Sequence, residues 1–386
     1  MTSRQAGTPT GSNAGVNDQI PLVDLTWQYQ QIRDEVEPEI LDALANGRYV
    51  GGAAVANFES EFASYSGAAH CVGVANGTDA VELGLRAVGV VPGDDVVLPA
   101  NTFIATAGAV ARIGANPVLV DCGPDHLINP ETLEAALGRS LVRAVVPVHL
   151  YGQMADMEAV EAIAGAARVC VVADGAQSQG ALRSGRSMGE FATVTATSFY
   201  PGKNLGAAGD AGAVLTSDDQ LARRVRLMAN HGSEIRYHHE IVGMNSRLDH
   251  VQAIVLRAKL ARLEGWNERR REIADRYDAL LGSIQAVTRP SANLQNLHVW
   301  HLYVIEVDRR DQVLAHLNRH GVGASVHYPL PLHLQPAFHH LGHRRGDFPI
   351  AERVADRILS LPMFPGMTDA QVERVASVLA DALASS

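Results

Sequence analysis

The sequence has little cysteine. Its three residues, Cys71, Cys122 and Cys170, lie far apart, and none forms a metal-spaced pair. That excludes a disulfide framework and leaves buried, reduced thiols, as expected of a cytoplasmic protein. His238-His239 invites a metal, but no second ligand pair stands at metal spacing, so no metal site is expected. Basic residues are in the minority, 32 against 42 acidic ones, and they form no stripe. Nucleic acid and anionic membranes are therefore poor partners. No apolar run reaches the length of a membrane span. Residues 1–19 are polar, lack the apolar core of a signal peptide, and read as a disordered tail.

What is present is an ordinary globular chain of 386 residues, 47% apolar and 19% charged. That length suits one large domain or two unequal ones. Short apolar strands are expected at 71–75, 95–98, 117–121, 144–148, 169–173, 194–199 and 213–216. Helices are expected at 30–44, 55–65, 79–88, 104–113, 132–137, 157–166 and 219–229. This alternation predicts an α/β fold, a mostly parallel sheet between helices. After Thr216 the texture changes, and residues 231–244 are polar and irregular. A long helix over 248–281, kinked near Gly265, leads to a strand at 300–307, a helix at 311–320 and an extended piece at 324–328. A loop rich in proline and histidine (329–348) and two helices close the chain. The expected division is a large domain at 20–250, then the linking helix and a small α+β domain at 251–386.

Ligands of such sheets gather beyond the carboxyl ends of the strands. Asn76-Gly77-Thr78, Thr102-Phe103, Asp174-Gly-Ala-Gln177 and Ser198 to Lys203 all follow expected strands. Lys203 stands after Pro201-Gly202 and before a glycine-rich run. Such a lysine is most often an exposed turn residue; partial burial would lower its pKa and make its amine a nucleophile. The glycine run is not a P-loop, because there the lysine follows the glycines. Asn76 to Thr78 opens a helix and can offer amides and a hydroxyl to a phosphate, although Thr78 and Asp79 also read as plain cap residues. A strand-end carboxylate, a strand-end lysine and a phosphate-binding turn together are what pyridoxal phosphate requires.

Four motifs occur in order: Gly-Thr-Asp-Ala (77–80), Pro-x-x-Thr-Phe (99–103), Asp-x-Ala-Gln (174–177) and Ser-Phe-Tyr-Pro-x-Lys-x-Leu-Gly-x-x-Gly-Asp-x-Gly (198–212). In these the chain resembles the nucleotide-sugar aminotransferases of the DegT/StrS group, from Pro21 to near Pro365. The resemblance implies fold type I: a large domain with a mixed, mostly parallel, seven-stranded sheet, and a smaller C-terminal domain. It implies pyridoxal phosphate as cofactor, with Lys203 as the Schiff-base lysine and proton shuttle. Asp174 would pair with the pyridine nitrogen, Gln177 with the ring hydroxyl, and Phe103 would stack on the ring. Gly77, Thr78 and Ser198 would hold the phosphate. Asn245 would reach the phosphate of a neighbouring subunit's cofactor, which implies a homodimer with shared active sites. Read without the resemblance, Phe103 is equally a core residue and Asn245 a helix cap.

The segments 231–240, 245–249, 299–303 and 326–333 resemble the branch that aminates dTDP-linked 3-keto-6-deoxyhexoses, with L-glutamate as donor and 2-oxoglutarate as product. The resemblance puts Tyr200, His327 and Tyr328 near the sugar. The products in that branch are amino sugars of antibiotics and surface glycans. A 4-keto-sugar aminotransferase shares every cofactor residue and is the alternative. Sugar dehydratases of this scaffold carry histidine in place of the lysine, so Lys203 counts against them. A non-catalytic regulator is a third reading, opposed by the complete catalytic set.

Overall fold

The computed structural model describes residues 19–138 and 142–384. Residues 1–18 of the expected tail lie outside the described residues. A seven-stranded sheet runs in the order His70–Val74, Gly212–Thr216, Val194–Ser198, Cys170–Asp174, Val142–Val145, Asp95–Pro99, Asn116–Val120. Gly212–Thr216 is antiparallel to both neighbours, and the other pairings are parallel. The sheet is therefore mixed and mostly parallel.

Its strands read as apolar runs because both faces are covered. Cys71, Val97, Val145, Val171 and Leu215 face a core shared with the helices Ala53–Ser66, Met157–Ala167 and His250–Leu260. Val72, Val96, Leu98, Ala144, Val172 and Val214 face the opposite core, with Gly77–Ala87, Ile104–Ile113 and Asp219–Ala229. The parallel strands all end at one edge, and the antiparallel strand starts there.

A smaller antiparallel sheet of Val287–Thr288, Tyr303–Val307 and Ile358–Leu361 follows. Its core includes Ile273 and Tyr277, Val313, Val375 and Leu379, and also Ile20 from the start of the chain. By packing, the helix His250–Leu260 goes with the large sheet and Ile20 with the small one.

The expected long helix is two, His250–Leu260 and Leu263–Leu281, and Gly265 lies inside the second. The break comes where Arg262 Nη1 takes the Ala258 carbonyl (2.7 Å) while its own amide pairs with Lys259 O. The guanidinium replaces the backbone bond that would continue the helix. The strand Ile358–Leu361 lies between the two closing helices, Pro349–Arg357 and Asp369–Ala384, and is not expected from the sequence, because a four-residue buried run has no period to betray it. Among the described residues no helix is long and apolar enough to cross a membrane.

One buried charge has a measurable cost. Lys259 is 6% exposed, its Nζ donates among the described residues only to Gln28 Oε1 (3.2 Å), and burial pushes its amine down to about 8. The unfolded chain, with a lysine near ~10.4, therefore binds more protons between pH ~8 and ~10.4, so stability rises with pH through that window. Below pH ~8 the full penalty remains. Lys259→Met should stabilise the chain at pH 7 by about 1–2 kcal/mol, since the orphaned Gln28 oxygen offsets part of a larger gain. Thermal melts at pH 7 and pH 10 check this: the gain should shrink at the higher pH. A variant destabilised equally at both would contradict it.

Candidate functional site

At the carboxyl edge of the large sheet a cavity of about 590 Å³ opens toward the small domain. Gly77, Thr78, Phe103, Asp174, Gln177, Ser198, Tyr200, Lys203, His327 and Tyr328 all line it. Asn245 does not. It is exposed, on the segment between Asn230 and Asp249. Nor is it a helix cap, because the next helix begins at His250 with Asp249 as its N-cap.

The anion cradle is built by close backbone approach. Asn76, not Thr78 or Asp79, caps the helix Gly77–Ala87, its Oδ1 accepting from Asp79 N (2.8 Å). The amides of Gly77 and Thr78 are left for an outside acceptor, with the Thr78 and Ser198 hydroxyls nearby. A Cβ on Gly77 would stand 2.4 Å from Ser198 Cβ, and one on Gly212 2.5 Å from the Asn76 carbonyl. Glycine at both positions lets the helix start, the strand end and the antiparallel strand meet.

Asp174 closes its strand and is buried. Thr106 Oγ1 donates to its Oδ2 (2.8 Å) and Ala176 N to its Oδ1 (3.1 Å). Thr102 pairs in turn with Thr106 (3.2 Å). Burial pushes the Asp174 carboxyl up, against these donors and Lys203. Lys203 is half-buried, and burial pushes its amine down to about 8, against the pull of Asp174. It is therefore not the fully solvated turn lysine that its Pro-Gly context suggests.

Phe103 is half exposed toward the cavity rather than in a core. Its ring lies 5.1 Å from that of Tyr328. Gln177 bridges the two halves of the chain: its Oε1 accepts from Tyr151 N (2.7 Å), and its Nε2 donates to Tyr328 Oη (3.3 Å). The Tyr151 hydroxyl donates to the His327 carbonyl. His327 Nδ1 pairs with Ser360 Oγ (2.8 Å), and burial with Lys203 nearby holds its imidazole down to about 4. The His327–Tyr328 peptide is cis.

Sequence reasoning missed several lining groups. Thr106 sits in the first turn of the helix Ile104–Ile113, where its hydroxyl meets that of Thr102, which precedes the helix. His301 falls where a strand is expected from 300, yet the strand starts at Tyr303, and the preceding residues line the cavity. Leu22 and Val23 had no motif to mark them; Asp210 stands in the 198–212 motif and Leu302 in the 299–303 segment, but neither is singled out there as a site residue.

A groove of about 730 Å³ lies elsewhere, between helices, near Glu35, Glu39, Glu61 and Arg257. Arg257 is paired there with Glu61. Among the described residues no group of histidine, cysteine or carboxylate side chains could hold a metal ion.

The residues lining the cavity fit pyridoxal phosphate: free amides and hydroxyls for a phosphate, a buried strand-end carboxylate, an exposed aromatic face and a lysine of lowered pKa. A family profile, the DegT/DnrJ/EryC1/StrS aminotransferase family, matches residues 30–380. The chain is 43% identical over 365 residues to a pleiotropic regulatory protein of Geobacillus stearothermophilus, covering 94% of this chain and 98% of that one. It is 42% identical over 365 residues to the dTDP-3-amino-3,4,6-trideoxy-α-D-glucose transaminase of Streptomyces venezuelae, covering 94% and 96%. The crystal structure of S. venezuelae DesV in complex with a ketimine intermediate superposes with a TM-score of 0.92 at 41% identity, covering 95% and 98%.

Proposed function

Because the chain belongs to the DegT/DnrJ/EryC1/StrS aminotransferase family, whose members use pyridoxal phosphate, we propose that it moves the amino group of L-glutamate to a dTDP-linked 3-keto-6-deoxyhexose. The observation that carries this reading is the convergence of Lys203, Asp174 and the Gly77–Ser198 cradle on one cavity. The cofactor supplies an aldehyde that exchanges amines and a ring that draws electrons from the carbon beside the nitrogen.

The chain's residues do the rest. The cradle amides and the Thr78 and Ser198 hydroxyls bind the phosphate. Phe103 orients the ring by its face, and Gln177 by its hydroxyl. Asp174, held by Thr106 and Ala176, keeps a proton on the ring nitrogen; that positive charge counters the burial that otherwise disfavours the carboxylate. Lys203, with an amine near 8, is available as nucleophile and as proton carrier near neutral pH.

The lining also suits a deoxy sugar. Leu22, Val23, Val148, Leu150 and Leu302 are apolar, and a deoxy carbon packs on such walls. The Streptomyces relative is named for a dTDP-3-amino sugar, which favours C3 over C4.

A homodimer belongs to the proposal. Ile235, Tyr237, Ile241 and Val242 are exposed on the segment that leads to Asn245. A second copy would cover them and bring Asn245 to its partner's cofactor phosphate.

Product analysis with glutamate and a panel of sugars tests this. The dTDP-3-keto-6-deoxyhexose should be aminated, with little product from the 4-keto isomer. Preferred amination of the 4-keto isomer would move the reaction to C4.

A further inference from the structure

Beneath Lys203 lies a buried polar network that the roles above do not use. Asn267, fully buried on the helix Leu263–Leu281, donates from Nδ2 to the Gln179 carbonyl (2.9 Å). A carbonyl can only accept, so this contact fixes the Asn267 amide and turns its Oδ1 toward Asn204. Asn204 meets it with Nδ2 (2.8 Å), and the same nitrogen donates to the Val299 carbonyl (2.8 Å). Asn204 Oδ1 is therefore the atom facing His301 Nδ1, 3.2 Å away. An oxygen there requires a donor, so the imidazole proton is on Nδ1. Two backbone carbonyls thus set the tautomer of a histidine three contacts away.

His301 lines the cavity with Lys203. Its Nε2, on the far side of the ring from Asn204, meets no partner among the described residues. From this network we infer that His301 is a positioning residue: its Nε2 offers a lone pair to the cavity it shares with Lys203, and accepts a hydrogen bond when the Lys203 ammonium turns toward it. The inference rests on the proton-carrying role proposed for Lys203.

The chemistry favours a neutral acceptor at this place. Lys203 must hold a proton briefly and release it. A second carboxylate would trap the ammonium form, whereas an imidazole lone pair orients it without a full countercharge. The imidazole must then stay neutral. Burial pushes its pKa well below the usual value, and Lys203, Arg270 and His327 press in the same direction. This gives a use to Arg270, a buried guanidinium with no carboxylate partner among the described residues. Its Nη1 donates to the Trp300 (3.1 Å) and Met363 (2.9 Å) carbonyls, beside His301 in the chain. The charged or titrating groups that act on the pair are thus Asp174 on Lys203, and Arg270, His327 and Lys203 itself on His301.

The test uses the full-length chain freed of cofactor, so neither readout involves a sugar, and the substrate proposal can fail separately. Nitrogen-15 spectra of histidine-labelled protein, with the His301 signal assigned by its loss in His301→Gln, should show a protonated Nδ1 and a bare Nε2. A protonated Nε2 would overturn the inference. The pH dependence of Lys203 labelling by pyridoxal and a hydride reductant, located by mass spectrometry, gives the midpoint of its amine. His301→Leu should lower that midpoint by about one pH unit or more through loss of the acceptor. His301→Gln, whose amide oxygen can accept, should restore it. An unchanged midpoint in His301→Leu would overturn the inference. So would an equal drop in both variants, which would mean that the ring acts by volume alone.

Discussion

Replacing Lys203 by alanine should abolish amino transfer, lowering the rate of the glutamate half-reaction by at least ~10⁴-fold, while the chain stays folded and still takes up the cofactor. Two proposed functions leave with one side chain: the amine that exchanges with substrate amines, and the group that carries the proton between carbons. The second alone is worth about 10²–10⁴-fold in general acid–base catalysis. Stability should not fall, because the substitution removes a desolvated amine that burial holds down to about 8. The phosphate cradle at Gly77, Thr78 and Ser198 remains. Single-turnover kinetics with glutamate, beside a dialysis measurement of cofactor retention, separate catalysis from binding. A variant within tenfold of wild type would remove Lys203 from the reaction.

The second large effect is expected at Asp174. Asp174→Ala should slow both half-reactions by about 10²–10³-fold, the usual cost of removing one preorganised electrostatic partner from a buried site. The carboxylate is supported by Thr106 and the Ala176 amide. Thr106→Val, which removes only the support, should cost about tenfold, the scale of one charge-assisted hydrogen bond. Near-normal turnover in Asp174→Ala would overturn its assignment. Equal losses in the two variants would mean that the hydroxyl, not the carboxylate, is the important group.

Both residues were legible in the sequence for the same physical reason. They close expected strands, and parallel strands in such a sheet end on one edge, so strand-end polar residues converge without any knowledge of the contacts. Gly77, Ser198 and Phe103 were found by the same rule. The large sheet follows from apolar runs that alternate with helices. Its reversed strand, Gly212–Thr216, reads no differently from its parallel neighbours, since direction leaves no mark on composition.

What was hidden depends on distant contacts. Asn204 meets Asn267 across 63 residues, and Thr106 meets Asp174 across 68. Neither spacing has a period to detect. The break at Ala261–Arg262 depends on one guanidinium finding a carbonyl, and the sequence offers Gly265 as the more obvious weak point. His301 was masked by its neighbours: Trp300 to Val307 reads as one strand, although the chain enters the sheet only at Tyr303.

The central claim is that one cavity runs both halves of an amino transfer, from glutamate to a keto sugar. The visible spectrum of the protein loaded with pyridoxal phosphate tests it most directly. The account predicts a yellow band that bleaches on adding glutamate and returns on adding the dTDP-linked 3-keto-6-deoxyhexose. A band that glutamate leaves untouched, or one that Lys203→Ala shares unchanged, would contradict it.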